Sequence, residues 1–161
     1  MPHRRDRSAP FSAFLAVNHQ ITRFGIRALL EESFQARIAG EAERGSQALQ
    51  ALRRGSPDLL VLNLSLPDTG GLEVLRRLWR WEASARVLIL TRRSDGPDVR
   101  GAFKLGANGY VLKSDPPEQI VRAVRSVMAG QRYLSKQIPR HLVEEAASTT
   151  QEASRSTAPS R

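Results

Sequence analysis

From Ser12 onward the chain alternates between short, saturated apolar runs and longer stretches whose apolar residues recur every three or four positions. The short runs are SAFLAV (12–17), the weaker ARIAGEAE (36–43), DLLVLNL (58–64), RVLILT (86–91) and YVLK (110–113). At this length, each bounded by polar or turn residues, they predict buried strands. DLLVLNL is apolar on both alternations, as expected of a central parallel strand covered on both faces. The longer stretches predict helices. QITRFGIRALLEESF (20–34) carries Ile21, Phe24, Ala28 and Leu29 at helical spacing, and GSQALQALRRG (45–55) sets Ala48, Leu49 and Leu52 on one face before Gly55, a natural C-cap. GGLEVLRRLWRWE (70–82) repeats Leu72, Leu75 and Leu78/Trp79. A helix opening on Pro97 closes at Gly106, and DPPEQIVRAVRSVMAG (115–130) turns Ile120, Val124 and Val127 inward.

Five strand–helix pairs joined by short connections over residues 12–130 define a doubly wound α/β domain, with a parallel sheet and helices on both faces. The polar, basic residues 1–11 read as a flexible leader. Residues 12–134 form the domain. In 135–161 one short helix, KQIPRHLVEEAA, precedes a tail with too few apolar residues to fold alone.

Composition narrows the function classes. The chain has no cysteine, which removes disulfides, thiolate metal sites and thiol catalysis. No apolar stretch approaches the roughly 20 residues that span a bilayer, so a cytoplasmic protein without membrane contact is expected. A net charge of +9 makes nucleic acid a conceivable partner, yet the arginines (Arg4, Arg5, Arg7, Arg53, Arg54, Arg76, Arg77, Arg92, Arg93) are scattered along the sequence. That pattern reads first as an ordinary solvated surface. No glycine-rich phosphate loop follows the first strand, and no acid–base pair or nucleophile–histidine pair is evident. An enzyme is therefore not expected and no catalytic residue is assigned.

RFGIRALL, LSLPDTGGLEVLRRL, RVLILT and GANGYVLKSDPPEQIVRAVRSVMAGQRYLS, in that order, resemble the receiver domain of two-component response regulators. They are closest to the branch whose receivers precede a LuxR-type helix-turn-helix. The resemblance covers about residues 12–134 and implies a flavodoxin-like, five-stranded parallel sheet in the order 2-1-3-4-5. Ligands of such sheets sit beyond the carboxyl ends of the strands. There the family places a pair of acids after strand one, a phosphoacceptor aspartate after strand three, a Ser or Thr after strand four and a lysine after strand five. In this chain Thr91 and Lys113 match, and Tyr110 matches the aromatic that swings inward behind the phosphoryl group. Val17 and Asn18 stand at the acidic, metal-holding positions and Asn63 at the phosphoacceptor.

An amide oxygen lacks the charge and basicity to accept a phosphoryl group, so Asn63 is not a phosphoacceptor. Mg²⁺ is a hard cation that needs carboxylates, and with valine and asparagine at the acid positions no Mg²⁺ or other cofactor is expected. Asp68, Asp95, Ser65 and His19 read as turn or helix-opening residues rather than substitutes. Lys113 would donate to the amide oxygen of Asn63 or extend into water. The expectation is an atypical receiver of two-component signalling or transcription regulation that works by phosphorylation-independent contact with a protein. Another response regulator, a kinase and a second copy of itself as a homodimer are the candidates. The alternatives are a nucleic-acid-binding regulator using its basic surface, or a truncated LuxR-type DNA-binding response regulator. Nothing in residues 135–161 resembles the LT-x-RE-x-E-x-L opening of the LuxR module.

Overall fold

The structure, a computed structural model, describes residues 10–92 and 94–143. Strands and helices alternate as β1 (Ser12–Ala16), α1 (Gln20–Phe34), β2 (Arg37–Ala42), α2 (Gly45–Arg54), β3 (Leu59–Leu62), α3 (Gly71–Arg80), β4 (Arg86–Thr91), α4 (Gly96–Lys104), β5 (Gly109–Leu112), α5 (Pro117–Met128) and β6 (Tyr133–Leu134). Every strand pair is parallel, and the sheet order is β2-β1-β3-β4-β5-β6.

The expected five-strand order is present, with one short strand added. β6 exists because Tyr133 N–H donates to Asn108 O at 3.1 Å and Ser135 N–H to Tyr110 O at 2.9 Å, along the open edge of β5. Two residues carry no periodicity, so only the pairing reveals it. Of the leader expected at 1–11, residues 1–9 lie outside the described residues, as do residues 144–161 of the tail, whereas the Phe11 ring lies 5.6 Å from that of Phe34 in α1. Of the helix expected in KQIPRHLVEEAA, the described part is one helical turn at 141–143.

Alternation along each strand divides the core in two. On one face Phe14, Ala16, Leu60, Leu62, Ile89, Tyr110 and Leu112 pack under α2, α3 and α4. On the other, Leu15, Val17, Leu59, Val61, Leu88, Leu90 and Val111 pack under α1 and α5. Ala48, Leu49 and Leu52 of α2 and Ile120, Val124 and Val127 of α5 point inward as their spacing predicts.

The face of α1 differs from the expected one. Ile26 and Leu30 are its buried residues, whereas Ile21 is 88% and Phe24 73% exposed. The helix carries two apolar stripes, and the sheet and α5 select the one containing Ile26 and Leu30. In α3, Trp79 likewise faces outward while Val74, Leu75 and Leu78 are buried. Gly55 closes α2 in extended backbone (φ −175°), so no left-handed cap is made there, but Gly106 after α4 does take a positive φ of +93°.

Candidate functional site

The sheet order reverses between β1 and β3, which opens a crevice at the carboxyl ends of these neighbouring strands. Register places Ala16 beside Leu62, Leu62 beside Ile89 and Thr91 beside Leu112. The residues just past these ends, Val17, Asn18, Asn63 and Lys113, are thereby gathered with Thr91 at one rim.

Asn63 is 1% exposed and hydrogen-bonded to neutral partners. Its Nδ2 donates to Asn18 Oδ1 at 2.5 Å, its Oδ1 accepts the Ser65 N–H at 3.1 Å, and its own N–H donates to Ala16 O at 3.0 Å. The two amides complete each other: one supplies the donor, the other the acceptor. A carboxylate at 63 has no proton to give Asn18 in this arrangement.

Val17 does not reach this pair. Its side chain is fully buried in the core beneath α1 and α5. Its backbone is held instead, with the N–H donating to Ala42 O and the carbonyl accepting from Arg23 Nη1 at 2.8 Å. The Arg23 guanidinium also bonds Glu43 Oε1 at 3.1 Å, so it ties the end of β1 to the chain leaving β2.

As Mg²⁺ donors these residues fit poorly. Val17 offers no oxygen from its side chain, and the acceptor oxygens of Asn18 and Asn63 already receive hydrogen bonds. Among the described residues no group of three or more His, Cys, Asp or Glu side chains could hold a metal ion.

Lys113 is half-buried; its backbone N–H donates to Thr91 O at 2.8 Å, while its side chain makes no hydrogen bond or ion pair among the described residues. Burial, and secondarily the neighbouring Arg92 charge, lower its pKa from the ordinary lysine value. The acceptor Oδ1 of Asn63, offered in the sequence as one destination for this ammonium, is bonded to Ser65 N–H instead.

Thr91 and Tyr110 are both fully buried. Tyr110 pairs with Ile89, two residues before Thr91, so alternation puts both side chains on the face beneath α3 and α4. The Tyr110 ring lies 6.4 Å from that of Phe103 in α4. This is the inward position for an aromatic at this place in the sheet.

The substitutes weighed from sequence remain turn and helix-opening residues. Asp68 sits in the turn before α3 with φ 60° and binds the Ser46 hydroxyl and backbone N–H and the Thr69 N–H. Those donors, the Ser46 hydroxyl foremost, hold its pKa below the usual carboxylate value. Asp95 and His19 stand at the N-caps of α4 and α1, and Ser65 is exposed.

The sequence did not single out Asp115, a buried carboxylate just beyond β5. Its Oδ2 accepts the Leu112 N–H, and its Oδ1 accepts from Ser135 Oγ and Gln137 Nε2, all at 2.9 Å. It fastens the β5–α5 loop to the segment after β6. The only signal was an acid two residues after Lys113, with no hint of its partners some 20 residues on.

The model of the family "Response regulator receiver domain" matches residues 14–125. Response regulator UvrY of Escherichia coli is 33% identical over 131 residues, covering 81% of this chain and 60% of that protein. Response regulator GacA of Pseudomonas aeruginosa is 34% identical over 125 residues, covering 78% and 58%. The chain thus spans about 60% of the length of these curated relatives. Among solved structures, a LuxR-family two-component response regulator from Aurantimonas sp. superposes with a TM-score of 0.78 at 34% identity, over 86% of this chain and all but 1% of that one, which is covered to 99%. The signal receiver domain of NarL from Mycobacterium tuberculosis superposes with a TM-score of 0.71 at 27% identity, over 76% and 98%.

Proposed function

This chain belongs to the response regulator receiver family of two-component signalling and is related to LuxR-type regulators, and on that premise we propose that it signals without being phosphorylated, through contact with another protein. The observation that carries this reading is the Asn18–Asn63 amide pair. It fills the phosphoacceptor place with two neutral groups joined by a hydrogen bond, and it leaves neither a nucleophilic carboxylate nor an acidic cradle for Mg²⁺.

Two further features support it. Tyr110 is buried with its ring beside Phe103, the inward placement of an aromatic behind the face made by α4 and β5. On α1, Ile21 and Phe24 lie one turn apart and project into solvent, an apolar surface suited to a protein partner. A second regulator, a kinase or a second copy of this chain would each meet it. Among the described residues no helix is long and apolar enough to cross a membrane.

Incubation with acetyl phosphate and Mg²⁺, followed by intact-mass measurement, tests the proposal. No phosphoryl adduct is expected on the wild-type chain. None is expected on Asn63→Asp either, because Val17 and Asn18 still provide no charge for the metal. A stoichiometric adduct on the wild-type chain overturns the reading.

A further inference from the structure

The arginines that look scattered in sequence are partly gathered by the fold. A cleft of about 480 Å³ lies between α2 and α3, lined among others by Ser46, Gln50, Arg53, Arg54, Arg77 and Trp81. Its size falls within the roughly 300–1,000 Å³ of small-molecule sites. The two helices start side by side, with Gly45 N–H donating to Pro67 O and no room for a Cβ at Gly45 against the Thr69 carbonyl. Their last turns carry the cations: Arg53 and Arg54 on α2, Arg77 and Arg80 on α3.

The cleft is polarised. At the Ser46 end Asp68 holds the Ser46 hydroxyl and keeps its negative charge, which repels an anion. At the other end Arg77 is paired with Glu73 at 3.3 Å, while Arg53 and Arg54 make no ion pair among the described residues. The partial negative charge of a helix C-terminus, about half a unit each, does not cancel them. The Arg53 guanidinium lies 5.5 Å from the centroid of the Trp81 ring, and Trp81 remains 38% exposed. Cations and a partly open indole therefore stand together at one end.

We propose that this cleft binds a nucleotide unit, its phosphates against Arg53 and Arg54 and its base on the exposed part of the Trp81 ring. Guanidinium groups recognise phosphate with paired donors, and an indole plane stacks on any base. An acidic peptide would use the arginines and leave the ring idle. The Gln50 amide adds a donor and an acceptor for base or ribose edges. The site lies on α2 and α3, apart from the strand-end pocket, and does not depend on the signalling role proposed above.

Titration calorimetry of the full chain at low and raised salt, with ATP, inorganic tripolyphosphate and a ten-residue oligothymidylate as probes, tests it. ATP or the oligonucleotide should bind, more weakly as salt rises. Binding of ATP identifies the free nucleotide as the source, and binding of the oligonucleotide alone identifies a single strand. Arg53→Glu with Arg54→Glu should weaken binding by about tenfold or more. Trp81→Leu should weaken ATP by about fivefold and leave tripolyphosphate unchanged. As a check independent of that variant's folding, Trp79→Phe leaves Trp81 as the sole tryptophan, whose fluorescence should be quenched by whichever nucleotide probe binds. The proposal is overturned if neither nucleotide probe binds, if the double arginine variant binds as the wild type does, or if Trp81 fluorescence does not respond.

Discussion

Two buried polar residues follow neighbouring parts of the same sheet edge, Asn63 after β3 and Asp115 beyond β5, and the protein treats them oppositely. Asn63 is neutral, paired with one other amide and one backbone N–H. Asp115 is a carboxylate and accepts three donors that come from the last backbone N–H of β5 and two distant side chains. A buried charge is tolerated where fixed donors surround it, and there it works as architecture. At the end of β3 the chain has a neutral, hydrogen-bonded amide pair instead. Asp115 fastens the β5–α5 loop to the segment after β6, and Asn63 joins the ends of β1 and β3.

The largest effect is therefore expected at Asp115. Asp115→Ala strands the buried Leu112 N–H and Ser135 Oγ and releases Gln137 Nε2 to water, and should cost about 3 kcal/mol in urea unfolding, with early amide exchange at Tyr133 and Ser135. A loss no larger than that of Asn63→Ala would erase the contrast. Asn63→Ala removes two neutral bonds and should cost about 1–2 kcal/mol, leaving exchange at Ser135 unchanged.

Lys113 sharpens the comparison with the smallest effect. Its pKa is lowered in the folded protein, so the folded state binds fewer protons than the unfolded state between the lowered and the ordinary value. Stability should then rise with pH through that window, and the penalty for burying the ammonium is fully present below it. Lys113→Met should stabilise the chain near neutral pH by under about 0.5 kcal/mol, with the gain fading as pH rises toward the ordinary lysine pKa. A destabilised variant would mean that the ammonium holds the pocket together.

Much of the fold was legible because the pattern is dense. The α1 residues 20–34 read from periodicity coincide with the helix, and the saturated runs around Leu60 and Leu88 are strands covered on both faces. The site was legible through strand ends: once DLLVLNL is a central strand, Asn63 must stand at its carboxyl edge. Its partner was not legible, because Asn18 lies 45 residues away and no spacing encodes that bond. Ile21 and Phe24 misled for a related reason. Periodicity shows that a helix has an apolar stripe, but with two stripes available the neighbours choose.

What the sequence determined by itself is the order of strands and helices, the family they resemble and that no carboxylate stands at 17, 18 or 63, since residue identity and local period carry these. The tertiary structure alone decided that Asn63 and Asn18 complete each other, that Asp115 locks a sixth strand, and that arginines distant along the chain converge beside Trp81. Each of those depends on a contact between segments that only the packed sheet and helices bring together.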